Sequence, residues 1–380
     1  MADQEQAARG RPPGRAGRAA RAAFYRGDIA QKILAYHRAE GGFLSEQDLA
    51  DYRSPVTPAP SRSIAAISAS IPAAPGARGP ALLQTLKLLE GTDLKALGHN
   101  SPAYIHRLTE ALKLAFADRE AYTPIRRSAM SRWRSCCPTI MRSGGARRSI
   151  RISAWPEMPS PPGELGELSA TARRLGGGQR EPTPPTATPR MSAVVDKAGN
   201  VFSATPSDTS SQSPVIPGTG LVPSSRGSQS RPDPAHPAGV APGKRPRLTP
   251  NPALAIQNGE VFVPFGTPGG DVQTQAMLQT FLNLFTFGMD VQAAIEAPRF
   301  ATASFPSSFA PYEYFPGRLN LEGRIDPATG DALSAMGHKV TRWPDWNWLA
   351  GAICAIVADR KTGLLRGGAD PRRASYALGW

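Results

Sequence analysis

Two short stretches of this 380-residue chain hold the residue types that acyl chemistry would need. The first is "FGTPGGD", Phe265 to Asp271, set between an apolar run that reads as a strand and a periodic run that reads as a helix. Gly269 and Gly270 carry no side chains, so a substrate can approach their backbone N–H groups closely, and the following helix adds the positive end of its dipole. Such a turn can stabilise an anion or an oxyanion, but the same glycine turn also joins strands to helices where no ligand binds. No Gly-Lys pair follows it, so a phosphate loop is not indicated. The second stretch is "TATPRMSAVVDKAGN", Thr186 to Asn200, in which loop-like, proline-bearing sequence turns at Met191 into a strand and then a polar turn. A threonine at the head of such a strand, once made a chain terminus, can act as a nucleophile with its own α-amine as base, because that amine has a pKa near neutrality.

Other chemistries find less support. The histidines are His37, His99, His106, His236 and His338, and none pairs with another at metal-ligand spacing along the chain. His106 stands alone on a helical stretch, where a packed or solvated histidine is the commoner outcome. Cys136, Cys137 and Cys354 form neither a metal motif nor a disulfide framework, and no Gly-x-Ser-x-Gly elbow is present. Neither a metal nor a cofactor is expected.

The net charge of +14 raises the question of nucleic acid, but its distribution answers against it. Residues 1–23 carry net +3 and residues 124–190 carry net +8, leaving +3 for the other 290. The N-terminus has no apolar h-region and no run of about 18 apolar residues occurs, so neither a signal peptide nor a membrane span is indicated in this chain. The compartment is not readable.

The elements that must position the chemistry alternate with those basic stretches. Residues 1–23 and 124–190 lack helical or strand periodicity. They fit a disordered basic linker, or out-of-frame translation of a GC-rich gene, which the abrupt loss of pattern after Tyr122 favours. Between them, 24–123 reads as mainly helical. Ile29, Ile33 and Leu34 recur at helical spacing, Ser45 is placed as an N-cap, Leu82, Leu83, Leu86 and Leu89 share a face, and Ser101-Pro102 opens a helix running through Phe116. From Met191 onward hairpins dominate: one through "DKAGN", one through Asn258-Gly259, and a last through Lys361-Thr362-Gly363, with a helix bearing Met277, Leu278, Phe281 and Leu282 inserted. This order predicts an α+β protein of sheets faced by helices.

The blocks "FYRGDIA", "GGFLSEQDLADY", "LGHNSPAYIHRLTEALKLAFADREAY", "VVDKAGN", "PGTG", "APGKRPR", "NPALAIQNGE", "GTPGGD", "FGMDVQAAIEAPRF", "GHKV" and "GGADPR" stand in an order and spacing that resembles the gamma-glutamyltransferase family, over about three quarters of the chain. The resemblance implies an N-terminal nucleophile hydrolase fold, a four-layer αββα sandwich, here incomplete. It divides the chain into a large-subunit-like region (24–123), the low-pattern segment (124–190) and a small-subunit-like catalytic region (191–380), with the two segments expected to pack together. It implies a proenzyme that cuts itself and then transfers or hydrolyses gamma-glutamyl amides such as glutathione, a small-molecule substrate. It also implies that the chain starts about midway through the usual large subunit.

Position by position the resemblance is uneven. The family's nucleophilic threonine falls by count on Pro189, with Thr188 the nearest hydroxyl and Thr186 three residues off. Gly269 and Gly270 match the oxyanion-hole glycines, and Thr205 or Ser207 fits the place of a hydroxyl beside the nucleophile. Of the serine pair that grips the substrate carboxylate only a hydroxyl at Thr249 remains, beside Leu248. The aspartate that pairs with the glutamyl ammonium falls on Gln229, with Arg226 in the same pocket and Asp208 as another carboxylate within reach. A neutral amide cannot form that ion pair, so an amide acylase of altered acyl specificity, and a non-catalytic remnant, stand beside the gamma-glutamyl reading.

Overall fold

The computed structural model describes residues 14–53, 61–64, 67–70, 79–122, 153–154, 191–206, 213–244 and 246–380. They fall into two units, one of 14–53 with 213–225 and one of the remainder. Almost all of the 124–190 segment lies outside the described residues.

The smaller unit is helical: α1 (Arg15–Tyr25), α2 (Asp28–Ala39) and α3 (Glu46–Asp51). Helix α1 starts inside the stretch expected to lack structure. Its run "RAGRAARAAFY" is rich in alanine and arginine, both strong helix formers, with Arg15, Arg18 and Arg21 on one side and most of the alanines on the other. Helix α2 buries Ile33 and Leu34, as their spacing predicts, together with Ala30, while Ile29 is half-buried. Ser45 caps α3 in a reciprocal box, its Oγ accepting from Asp48 N at 3.2 Å while Asp48 Oδ2 accepts from Ser45 N at 2.9 Å.

The larger unit is built on an antiparallel six-stranded sheet of order β1-β2-β5-β6-β10-β11. Its strands are β1 (Ser61–Ile64), β2 (Ile67–Ser70), β5 (Ala253–Gln257), β6 (Val261–Gly266), β10 (Cys354–Asp359) and β11 (Leu365–Ala369). Strands β1 and β2 sit in the region read as mainly helical. The Asn258-Gly259 turn joins β5 to β6 with φ of 53° and 71°, the left-handed pair that a tight hairpin demands.

One face of the sheet, through Ala253, Ala255, Val263, Phe265, Ala355 and Val357, shares a core with α4 (Gly79–Leu89), α6 (Pro102–Tyr122) and α7 (Val272–Phe285). Helices α4 and α6, from 24–123, are therefore packed with the sheet strands from 191–380. The other face carries the hairpin of β3 (Ser192–Val195) and β4 (Val201–Ala204). Ser203 Oγ fixes it there, donating to Phe265 O and accepting from Ala253 N, both at 3.2 Å. Among the described residues this hairpin is all there is of a second sheet layer.

A third sheet flanks the core. Strand β7 (Phe300–Thr302) runs antiparallel to β8 (Arg318–Glu322), and β8 runs parallel to β9 (Lys339–Trp343) through α9 (Pro327–Ala335). The remaining helices are the short α5 (Leu94–Leu97) and α8 (Val291–Glu296), the latter packed beside β11.

Candidate active site

Strand β6 ends at Gly266, and Thr267 to Asp271 lead directly into α7. Thr267 Oγ1 donates to Pro268 O at 2.8 Å and accepts from Ala352 N at 2.7 Å, so the loop is tied to the segment that enters β10. Gly269 and Gly270 both have positive φ, 124° and 55°, a conformation side chains resist. Their carbonyls accept the first bonds of the helix, from Val272 N at 3.0 Å and Gln273 N at 3.2 Å. Their own N–H groups have no partner among the described residues. Two adjacent N–H groups without a partner, at the positive end of a 14-residue helix, are the kind of donors an anion site uses.

The head of β3 comes to this loop. A Cβ placed on Gly266 would lie 2.9 Å from Met191 Sδ and 3.4 Å from Thr205 Oγ1, so the head of β3 packs closely against the end of β6. The register Ser192↔Ala204 puts Met191 across from Thr205, whose Oγ1 is 3.9 Å from Met191 Sδ and buried. Thr205 is thus the hydroxyl of β4 nearest the strand head. Thr188, Ser207 and Asp208 lie outside the described residues.

Three residues from the sequence reading meet in one buried cluster. The 3-10 turn Arg226–Gln229 carries two of them, and Thr249 comes from the extended segment leading into β5. Arg226 Nη1 donates to Gln229 Oε1 at 2.8 Å and to Thr249 Oγ1 at 2.6 Å. Gln229 Nε2 is buried with no partner. The loop 303–317 links this cluster to the glycine turn. Ala310 N donates to Ser228 O at 3.1 Å, and the Phe309 ring lies 3.8 Å from the Cβ position of Gly270.

The residues that hold these parts in place were not singled out from sequence. Asp271 does not cap α7 with its side chain; it accepts from Ser308 N at 2.8 Å, Ser308 Oγ at 2.9 Å and Arg119 Nη1 at 2.5 Å. Next along α6, Glu120 receives Arg231 Nη2 and Arg247 Nη1, each at 2.5 Å, with His236 Nε2 at 3.2 Å. Burial pushes the Glu120 carboxyl up, but Arg247, the His236 contact, Arg231 and Arg119 together hold it well below its ordinary value. Arg231 stacks 3.8 Å over Tyr312, whose hydroxyl donates to Ser230 O. The end of one helix thereby fixes the glycine turn through Asp271 and the Arg226 cluster through Arg231 and Arg247. The available signal was the charged triplet Asp118-Arg119-Glu120 at the end of a helix whose residues are almost all buried, where charge demands partners.

A further guanidinium borders the loop. Arg373 Nη2 lies 3.8 Å from the Cβ position of Gly269, and Arg373 Nε and Nη2 donate to Trp348 O at 3.2 and 2.9 Å. Burial pushes its pKa down to about 10, which leaves it charged at neutral pH.

The profile described as gamma-glutamyltranspeptidase matches residues 14–380. The chain belongs to the gamma-glutamyltranspeptidase family. It is 31% identical to the acylase ACY 1 proenzyme of Pseudomonas sp. (strain SE83), over 88% of this chain and 54% of that protein. It is 30% identical to the glutathione hydrolase-like YwrD proenzyme of Bacillus subtilis (strain 168), over 94% of this chain and 63% of that one. Among solved structures it superposes on cephalosporin acylase from Bacillus halodurans with a TM-score of 0.70 at 27% identity, covering 94% of this chain and 60% of that one. The chain thus spans a little over half to under two thirds of the length of these relatives. Its fold is the N-terminal nucleophile hydrolase sandwich of the family, in incomplete form.

Proposed function

We propose that the chain carries the small-subunit part of an acyl-transfer site acting on small-molecule amides, and that its acyl pocket is built for a group ending in hydrogen-bond acceptors. The chemistry such a site serves is addition of a threonine hydroxyl to the amide carbonyl, with the α-amine of a freed chain terminus taking the hydroxyl proton and passing it to the departing amine; in this chain Pro189 stands at that place, and Thr188 is the nearest threonine that cleavage could free. The Gly269 and Gly270 N–H groups hold the oxyanion, and water or an amine then takes the acyl group from the threonine. Thr205 sits where it can orient the nucleophile at the head of β3.

The observation that carries the specificity is the donor inventory of the pocket. Gln229 Oε1 is already taken by Arg226, so the amide presents N–H; the Thr249 oxygen accepts from the same guanidinium, so its hydroxyl hydrogen is left to donate. A glutamyl ammonium entering here meets a cation and donors, whereas a carboxylate or carbonyl meets partners. This supports an acylase-like preference within the family over strict gamma-glutamyl specificity.

The test is calorimetric titration of the full chain with glutarate and with L-glutamate, which differ by the amine. Glutarate is expected to bind at least about tenfold more tightly, the equivalent of about 1.4 kcal/mol. Equal or tighter binding of glutamate overturns the assignment.

A further inference from the structure

Helix α6 carries a second polar cluster that the acyl site does not use. His106 and Glu110 are four residues apart and so share one face of the helix, and His338 arrives from the turn between α9 and β9. His106 Nδ1 and His338 Nε2 are 2.9 Å apart, and one donor atom from each of His106, Glu110 and His338 lies within 4.8 Å of the others. All three residues are buried, at 6%, 0% and 3% exposure. Burying two imidazoles and a carboxylate inside an apolar core is costly unless something gathers their lone pairs. His338 Nδ1 is buried with no hydrogen-bond partner, so the protein's own hydrogen bonds do not saturate the cluster.

We propose that His106, Glu110 and His338 form a three-ligand site for a divalent transition-metal ion, Zn2+ by donor type, with water completing four-coordination, which staples α6 to the turn after α9. Two imidazole nitrogens and one carboxylate oxygen are a donor set that zinc takes, at about 2.0–2.2 Å from each ligand. Tetrahedral ligands at that distance lie about 3.4 Å from one another, so closing the cluster round an ion needs only small side-chain adjustments. Lys113 is the resident competitor: its Nζ is 2.7 Å from Glu110 Oε1 inside the same core. An ion bound to one carboxylate oxygen obliges the ammonium to the other, and the two cations repel. The site stands about 15 Å along α6 from Glu120, too far to touch the reaction, and it would act by fixing the helix whose end holds Asp271, Arg231 and Arg247.

The full chain, stripped with EDTA and desalted, would be titrated with Zn2+ by calorimetry and with Co2+ by visible absorption between about 500 and 650 nm. Expected are one ion per chain, a Kd of about 1 μM or tighter, a rise in Tm on zinc addition, and the intense visible bands of four-coordinate cobalt. His338→Gln and Glu110→Gln should each weaken binding about a hundredfold, Lys113→Met should tighten it about tenfold, and His37→Gln should leave it unchanged. Should His338→Gln fail to give a folded chain by circular dichroism, the Glu110→Gln and Lys113→Met pair decides. No binding to the folded chain at 100 μM metal, or binding that these variants leave untouched, overturns the proposal.

Discussion

Replacing Glu120 by glutamine keeps the volume of the side chain and removes its charge, at the point where α6 holds the pocket together. In the native protein Glu120 is 2% exposed and faces Arg231 and Arg247 at 2.5 Å, His236 at 3.2 Å and Arg119 at 3.9 Å. Glutamine offers one accepting oxygen in place of two and turns an N–H₂ toward a guanidinium. Removing one partner of a buried ion pair costs about 3–5 kcal/mol, because the cation left behind stays desolvated. Against a total stability of about 5–15 kcal/mol this is a large share, and it corresponds to a fall in Tm of about 5–10 °C for a unit of this size. Urea unfolding followed by circular dichroism at pH 7 measures it.

The same substitution should change the response to acid. A carboxyl held below its ordinary value of 4.5 contributes stability that is complete above that value and is lost as pH falls through its folded pKa. The native chain should therefore lose stability below about pH 5, and Glu120→Gln should flatten that part of the curve. A destabilisation under about 1 kcal/mol, or an unchanged slope between pH 5 and 3, would refute the view that Glu120 is the charge that gathers these arginines.

Further outcomes are expected. Gly269→Ala places a side chain at φ of 124° with only ordinary contact to Gly351, so its cost is conformational, about 1–3 kcal/mol in equilibrium unfolding; a neutral result would show that the loop relaxes freely. Asp271→Asn should destabilise by about 2–3 kcal/mol, since Arg119 and Ser308 lose a charged acceptor, and Ser308→Ala combined with it should add little; full additivity in the double-mutant cycle would show that the contacts are independent. Self-cleavage should be slow or absent, because Pro189 has no hydroxyl and Thr188 stands one residue out of register; on a denaturing gel the purified chain should run as one band, and a small fragment starting at Thr188 would contradict this.

Much of the framework was legible because it follows from local chemistry. The Asn258-Gly259 turn, the Ser45 cap, the Ser101-Pro102 helix start and the apolar stripe through Leu82, Leu83, Leu86 and Leu89 each depend on residues within one or two turns of chain. The "GTPGGD" turn belongs with them: glycine at two successive positions permits the positive φ values that leave two N–H groups unused. Helix α1 was missed because its amphipathic spacing is carried by Arg15, Arg18 and Arg21 against alanine, a small apolar residue that a reading based on large apolar residues passes over. Strands β7, β8 and β9 were missed because three to five residues are too few to show a period.

What only the tertiary structure decided is which distant groups meet. Gln229 was readable as a neutral amide, but not that Arg226 donates to its oxygen and leaves its Nε2 buried without a partner. Spacing along the chain argued against paired histidines, yet His106 and His338, 232 residues apart, stand in contact because α9 packs on α6. Asp118-Arg119-Glu120 showed charge at the end of a buried helix without naming the partners that neutralise it. Sequence periodicity determines which face of a segment is buried; the pairing of buried charges depends on how those faces stack, and the desolvation cost of each unpaired ion selects the stacking that brings Glu120 to Arg231 and Arg247.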